Sequence, residues 1–336
     1  MNKKYLIIDG MNLFFRSAHV STRGADLEER VSYSMHVTLQ SLAAARRDQK
    51  ADHIIFCLEG RSWRRDIYPP YKAHRDVKRM AATVTEQKED AAFMEGYNNL
   101  LKFLRDHTNV TLLQHEKLEG DDLIAGWIQN HPEDEHVIIS SDSDFHQLLS
   151  EKVTQYNGVS QELHTINGIF DYKGKHVVDK KTKLPKKIPD PKFILFEKCV
   201  RGDPGDNIFS AYPGARSKGT KNKVGIEEAF ADREAKGYNY NNFMLQRWTD
   251  HNKVEHRVLD DYNRNVTLVD LAAQPPEIRQ LIDDTVRTCA VTKNNPMIGA
   301  KFLKFCGHHN LVRLSEQAST YATLLSSPYI EREEIK

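Results

Sequence analysis

Acidic residues stand just beyond short apolar runs at widely separated places in this chain. Asp9 follows Tyr5-Leu-Ile-Ile8 and precedes Gly10, Glu59-Gly60 follows Ile54–Leu58, and Asp142 and Asp144 follow Val137-Ile-Ile-Ser140. Apolar runs of this length bounded by turn-forming residues read as buried strands. Glu119, Asp121 and Asp122 open a helical pattern, with Glu119 and Asp122 spaced three apart and so on one face. In open parallel sheets, ligands bind in the crevice outside the carboxyl ends of the strands, and all four segments would deliver carboxylates there. Crowded carboxylates raise one another's pKa values, and a divalent cation relieves that repulsion. An all-oxygen donor set suits Mg²⁺ or Mn²⁺, and well-placed histidines are too few for zinc. Two such ions can activate a water and stabilise the leaving oxygen of a phosphodiester.

Taken singly, an Asp after a strand is most often a turn former or a helix cap. Recurrence at one structural position is what favours a site. A second acidic motif, Gly202-Asp-Pro-Gly-Asp-Asn207, reads alone as a turn. It is followed by Pro213-Gly-Ala-Arg-Ser-Lys-Gly219, and a glycine-rich turn entering a helix can hold phosphates through backbone amides. Asp203 and Asp206 would then complete the carboxylate cluster.

The elements that must position these groups alternate through the first half. Strand-length runs at Tyr5–Asp9, His53–Leu58, Val110–Leu113 and Val137–Ser140 are separated by helical stretches. In residues 86–106, Phe93, Tyr97, Leu100, Leu101 and Leu104 form one apolar stripe. Leu123–Gln129 is a further helix. This alternation predicts an α/β fold with a mostly parallel sheet and helices on both faces. After Ser150, turn signals at Asn157-Gly158, Asn167-Gly168 and Lys173-Gly174 predict hairpins. The stretch from Lys180 to Pro191 is a boundary. Beyond it Phe193–Val200, Ile226–Phe230 and the polar stretch Asn239–Asn265 read as helical, and the last residues, 331–336, as frayed.

Net charge is only +1 over 336 residues, but the charge is segregated. Residues 61–79 carry seven basic side chains against two acidic, residues 173–187 carry seven lysines against Asp179, and residues 216–223 carry four basic side chains and no acid. Basic segments that grip phosphate, with acids elsewhere that hold cations, would produce this balance. The four cysteines, Cys57, Cys199, Cys289 and Cys306, have no paired spacing, which argues against a disulfide framework or a zinc site. No apolar run approaches membrane-spanning length, and the first strand is followed at once by Asp9, unlike a signal peptide. A cytoplasmic protein is expected.

Asp9 in Ile-Ile-Asp-Gly-Met-Asn, the Glu119-Gly-Asp-Asp122 block, Ser141-Asp-Ser-Asp144 and Gly202-Asp-Pro-Gly-Asp206 together resemble the 5′-nuclease superfamily. That superfamily includes flap endonucleases and the 5′-exonuclease domains of bacterial DNA polymerases. Ser62-Trp-Arg-Arg-Asp66, Tyr71-Lys-Ala-His-Arg75, Val137–Leu148 and Tyr262–Asp270 are most similar to the ribonucleases H of T-even bacteriophages, which are 5′-to-3′ exonucleases. The resemblance implies a PIN-like nuclease domain, residues 1–187, with a helical arch at about 62–106. It also implies a helical domain, 188–336, containing a helix-turn-helix element that grips duplex. Two Mg²⁺ ions, with Mn²⁺ substituting, would be held by Asp9, Glu119, Asp122, Asp142, Asp144, Asp203 and Asp206. Glu59 stands where the family usually has Asp, so its longer side chain would reach an ion through a water, and Asp121 would stand behind the ligands. Arg64, Lys72 and Arg75 would lie at the mouth of the arch against the scissile phosphate. Arg61 and Arg65, with Arg216, Lys218, Lys221 and Lys223, would contact the backbone, and Tyr68 and Tyr71 would stack on an unpaired base or pack on the surface.

The function expected is removal of RNA primers and adjoining DNA from lagging strands during phage replication, with cleavage of 5′ flaps. Its substrates would be DNA and RNA–DNA duplexes with 5′ ends. The resemblance also implies recruitment by a single-strand-binding protein and a sliding clamp, action as a monomer, and residence in the cytoplasm of an infected cell. Two competing readings are a PIN-type ribonuclease acting on single-stranded RNA and a junction-binding scaffold with a lapsed site. The segment between Trp63 and Asp106 and the whole second half argue against the first, and the retained acids against the second.

Overall fold

A computed structural model describes residues 2–18 and 26–331; the chain end at 332–336, expected to be frayed, lies outside the described residues. The elements run β1 (Lys4–Asp9), α1 (Gly10–Ala18), α2 (Leu27–Gln49), β2 (His53–Cys57), α3 (Arg64–Ile67), α4 (Ala73–Met80), α5 (Val84–His107), β3 (Thr111–Leu113), α6 (Gly120–Asn130) and β4 (Glu135–Ile139). A short 3₁₀ turn at Ser143–Leu148 leads to β5 (Val153–Asn157), β6 (Glu162–Thr165) and β7 (Gly168–Phe170). The second half holds α7 (Pro191–Arg201), α8 (Ile226–Ala231), α9 (Tyr238–Met244), β8 (Arg247–Thr249), β9 (Glu255–Arg257) and α10 (Val258–Val269). It ends with α11 (Pro276–Cys289), α12 (Ile298–His308), α13 (Val312–Ser315) and α14 (Ala318–Ser326).

The strands form one sheet in the order β3-β2-β1-β4-β5-β6-β7. The pairs from β3 to β5 are parallel, and β6 and β7 follow antiparallel. The expected mostly parallel sheet with hairpins after residue 150 is therefore present. Strand order reverses between β1 and β4, and such a switch point opens a crevice at the carboxyl ends of the strands.

Both faces of the central strands are buried, which is why β1 reads as an unbroken apolar run. Leu6 and Ile8 of β1, with Phe56 and Ile139, pack beneath α1, α2, α5, α12 and α14; Tyr5 and Ile7, with Ile55 and Ile138, pack against α6 and α11. Helix α5 starts at a capping box, where Thr83 Oγ1 accepts from Glu86 N and the Glu86 carboxylate accepts from Thr83 N.

The second half divides between two cores. Helices α7 to α10 enclose their own small core around Phe196, Val200, Phe243, Met244 and Val258. Helices α11 to α14 return to the sheet and cover parts of both its faces. Residues 239–265 are not one helix. Strands β8 and β9 interrupt the stretch as a hairpin, with the turn held by Asp250 Oδ1, which accepts from Asn252 N and Val254 N at 2.9 and 2.8 Å. Local Asx chemistry outweighs the polar helical pattern there.

Candidate functional site

The turn from β1 into α1 sets the centre of the site. A Cβ at Gly10 would lie 2.5 Å from both the Phe56 ring and the Tyr97 hydroxyl and 2.9 Å from Cys57 O, so only glycine lets the chain turn here. Asp9 is thereby aimed at the switch point. Its Oδ1 accepts from Asn12 N at 3.1 Å and its Oδ2 from the Ser140 hydroxyl at 2.8 Å. Asn12 also bonds both the backbone N–H and the hydroxyl of Ser141. From β5, the Gln155 amide donates to Ser140 O and Asp142 O at 3.0 and 2.6 Å. The β1 and β4 ends are thus locked together before any ligand arrives.

Glu119 caps α6 from inside the protein. It accepts from Ser62 Oγ (2.6 Å), Arg64 Nη1 (2.9 Å), Tyr71 OH (3.0 Å) and Lys72 Nζ (2.5 Å). Glu59 Oε2 accepts from Gly120 N at 3.1 Å. Among the described residues, no hydrogen bond or ion pair reaches Asp121. Beyond the β4 end, Lys198 of α7 bridges Asp144 and Asp203, the latter at 2.9 Å. Asp206 is met by Arg75 (2.7 Å), the Tyr71 hydroxyl (3.1 Å) and, at 3.7 Å, Lys72. A cavity of about 530 Å³ is lined by Arg75, Asp142, Asp144, Lys198, Asp203 and Asp206, and Asp121 borders a smaller one beside Asp144, Asp203 and Asp206.

The charges are uncompensated in the inner part. Burial, with a contribution from Asp142, pushes the Asp9 carboxyl up to about 6 against the hydrogen bonds that lower it. Asp121 is raised well above the carboxylate range by burial and by Glu59 and Asp9, and Glu59 is raised by desolvation and by Glu119. Glu119 goes the other way: burial is overcome by Lys72 and Arg64, which hold it low. Burial also opposes the charge on Lys72, but Glu119, Asp206 and Asp121 raise it overall.

The donor set fits a hard divalent cation: every atom is oxygen, and Asp9, Glu59 and Asp121 have no cation beside them strong enough to hold them at ordinary pKa values. Among the described residues no three metal-ligating side chains stand close enough to enclose an ion as placed, and the ammonium groups of Lys72 and Lys198 are paired with Glu119 and with Asp144 and Asp203.

Three expectations change. Arg64 is 2% exposed and not at the arch mouth: it donates twice to Asp122, to Glu119 and to Leu268 O. Asp122 is fully buried and lines neither cavity: its oxygens accept from Arg64, from Trp63 Nε1 at 3.1 Å and from Glu119 N at 3.1 Å. Tyr71 is 3% exposed, so its ring has no face to offer a base, and Tyr68 packs its ring near Phe209 under Arg264. Arg61 and Arg65 pair with Asp66 and Asp76. Arg216, Lys218, Lys221 and Lys223 are all exposed on the loop between α7 and α8. That loop is cinched by Glu228, whose Oε2 accepts from Gly219 N and Gly225 N at 2.9 and 3.0 Å.

Sequence reasoning missed Lys198, Asn12, Ser140 and Gln155. Lys198 had one usable signal, since it lies within one to two turns of the Gly202–Asp206 motif on a helix that ends there. The others needed the strand register.

Residues 4–181 match the family described as 5′-3′ exonuclease, N-terminal resolvase-like domain. The chain belongs to this family. Among relatives of this chain, the flap endonuclease of Escherichia phage T5 is 27% identical over 61% of this chain and 64% of its own length. The flap endonuclease Xni of Shewanella piezotolerans is 25% identical over 68% of this chain and 77% of its own length. The thermostable DNA polymerase I of Thermus filiformis is 26% identical over 65% of this chain but only 23% of its own length. The chain thus spans under two thirds of the T5 enzyme and about a quarter of the polymerase. The fold is shared with the T5 D15 protein co-crystallised with metal ions (19% identity, TM-score 0.56, 95% of this chain and 100% of that one). It is also shared with a zinc-bound T5 5′-exonuclease (22%, TM-score 0.57, 86% and 100%). The family segment holds the whole sheet, the arch and the acids from Asp9 to Asp144 and stops short of α7, so Lys198, Asp203 and Asp206 lie beyond it.

Proposed function

We propose that this protein is a Mg²⁺-dependent 5′-to-3′ exonuclease and 5′-flap endonuclease acting on DNA and RNA–DNA duplexes. Its role would be to remove RNA primers and adjoining DNA during phage DNA replication in the cytoplasm of the host. The observation that carries this reading is that carboxylates from β1, β2, α6, the β4 end and the 203–206 turn gather at one edge of the sheet: Asp142, Asp144, Asp203 and Asp206 line a cavity with Arg75, Asp121 borders the next, and Asp9, Glu59 and Asp121 act on one another electrostatically. Relatives named flap endonuclease and 5′-3′ exonuclease support it, as does a T5 flap endonuclease structure described as a complex with DNA and metal ions.

In this reading Asp9, Glu59, Glu119, Asp121, Asp142, Asp144, Asp203 and Asp206 would hold two ions, once Lys72 and Lys198 leave the carboxylates they now pair with. Such ions would supply activation of a water and neutralise charge on the leaving oxygen. Lys72 and Arg75, once released, face the scissile phosphate and stabilise the added negative charge of the transition state. Arg64 and Asp122 act through Glu119, by fixing its position. The exposed lysines of the α7–α8 loop track the duplex backbone without reading sequence. Residues 1–187, with α11 to α14 completing their sheet rather than standing apart as the expected 188–336 unit, act as the nuclease part, and helices α7 to α10 act as the duplex-binding part. Action as a monomer and recruitment by a single-strand-binding protein and clamp complete the proposal.

The test is a time course on a 5′-labelled flap, a nicked RNA–DNA hybrid and free single-stranded RNA, each with and without Mg²⁺. Cleavage of both duplexes only with Mg²⁺, little cleavage of free RNA, and loss of cleavage but not of flap binding in Asp144→Asn are expected. Preferential cleavage of free RNA, or normal turnover by Asp144→Asn, refutes the assignment.

A further inference from the structure

At the sheet edge, residues 171–187 fold back on β7 as an irregular hairpin that the site above does not use. Phe170 bridges His176 and Val178 bridges Pro185, both antiparallel. Val177 N donates to Ile169 O at 2.9 Å, Lys186 N to Val177 O at 2.7 Å and Ile169 N to Lys186 O at 3.3 Å. Because β5 runs parallel to β4 and the next two strands alternate, β7 points toward the carboxyl end of β4. The turn at 171–175 therefore projects on the cavity side of the sheet, and the turn at 179–184 lies toward the opposite end.

Lys173 and Lys175 sit in the first turn and Lys180, Lys181 and Lys183 in the second, all exposed. Lys186 and Lys187, also exposed, lie on the strand returning toward Pro189, which lines the cavity holding Asp142, Asp144, Asp203 and Asp206. Among the described residues none of these seven lysines is in an ion pair. The acids that might neutralise them are turned inward to backbone. Asp171 Oδ1 accepts from Lys173 N and Lys175 N at 2.8 and 2.9 Å, and Asp179 Oδ1 from Lys181 N and Thr182 N at 2.9 and 2.7 Å. Both turns are thus stiffened, and seven lysines against two acids leave them with a net positive charge. Tyr172, 71% exposed, stands in the first turn with Lys173 Nζ 5.2 Å from its ring centre. Lysines on an edge strand ordinarily discourage pairing with another sheet, but five of these seven lie in turns, where no strand could add.

We propose that this hairpin is a second nucleic-acid site, gripping the sugar–phosphate backbone of a duplex arm that leaves the carboxylate cavity along the sheet edge. The proposal rests on the nuclease reading. From Lys175 in the first turn to Lys180 in the second the chain runs about 16 Å at ~3.3 Å per residue, roughly five base pairs of duplex at ~3.4 Å each.

The test compares the full-length protein with the variant carrying Lys173→Gln, Lys175→Gln, Lys180→Gln and Lys181→Gln, and with the same four positions changed to Arg. Binding to 5′-flap DNA is read by fluorescence anisotropy across a salt series, with one duplex arm either long or cut to about four base pairs. The Gln variant is expected to bind the long-arm flap roughly tenfold more weakly, with the slope of log K against log salt reduced by about two to three. It should match the unmodified protein on whichever flap has the relevant arm shortened, and the Arg variant should retain full affinity. Unchanged affinity and slope in the Gln variant overturn the proposal, including the case in which the hairpin serves an acidic protein instead. If the unmodified protein binds the flap but fails to cut it with Mg²⁺, the nuclease reading fails separately.

Discussion

Asp9 bears the cost of the site most directly. Its carboxyl sits at about 6 in the folded protein against an ordinary value of 3.8, chiefly through burial. The folded state therefore binds its proton more tightly than the unfolded chain does. The ionised group destabilises the fold fully above about pH 6, and that penalty disappears as pH falls below about 4. In EDTA, Asp9→Asn should accordingly gain up to about 3 kcal/mol near pH 7.5, and the gain should fade near pH 4. Urea melts of the two proteins at both pH values measure it, and a difference that does not change with pH would contradict the assigned cause. His53, pushed down to about 4 mainly by burial, works in the opposite direction, stabilising above its ordinary value of 6.5 and less so as pH falls. It is common to both proteins and cancels in the difference.

Between the arch and α6, stability and chemistry depend on one buried network. Arg64 holds Glu119 and Asp122 together inside the protein. Removing one partner of a buried ion pair leaves unpaired charge, so Arg64→Met should lose roughly 3–5 kcal/mol of stability. Denaturant melts would show this; normal stability with reduced cleavage would return Arg64 to a direct role at the phosphate. On the α7–α8 loop, a Cβ at Gly225 would meet Gly219 N at 2.4 Å and Lys218 C at 2.5 Å, both backbone. Gly225→Ala must open that loop, and duplex affinity should fall on the order of tenfold. Cleavage of a short-armed substrate at saturation should persist, since the carboxylates are untouched.

The chain's second half is needed twice, once for a separate small core and once to finish the sheet. Ile282 and Val286 of α11 pack on one side of the sheet, and Phe302, Phe305 and Leu325 pack in the cluster on the other. A fragment ending at residue 275 would expose apolar surface on both faces and should fail to fold cooperatively. Circular dichroism melts and dye binding would detect this. A cooperative melt for that fragment would mean the sheet is stable without its C-terminal helices.

Much of this was legible in the residue order. Alternation of apolar runs with helical stripes determined a mainly parallel sheet, because strands buried on both faces must be apolar through their middles, as Tyr5–Ile8, Ile54–Cys57 and Val137–Ile139 are. Acids placed one step past those runs determined where a cation site would be, because strand ends in such a sheet share one edge. What tertiary structure alone decided was which charged groups face the cavity and which face one another. Arg64 and Asp122 look in sequence like members of the same basic and acidic groups as Arg75 and Asp121, yet they are buried as a pair while Arg75 is exposed and Asp121 half-buried. Lys198, on an otherwise amphipathic helix, acquires its place only when α7 docks beside the end of β4. Local sequence sets the type of each side chain and the period of its element, but pairing across more than fifty residues depends on how the elements pack, and that packing settles which charges are neutralised and which remain free to act.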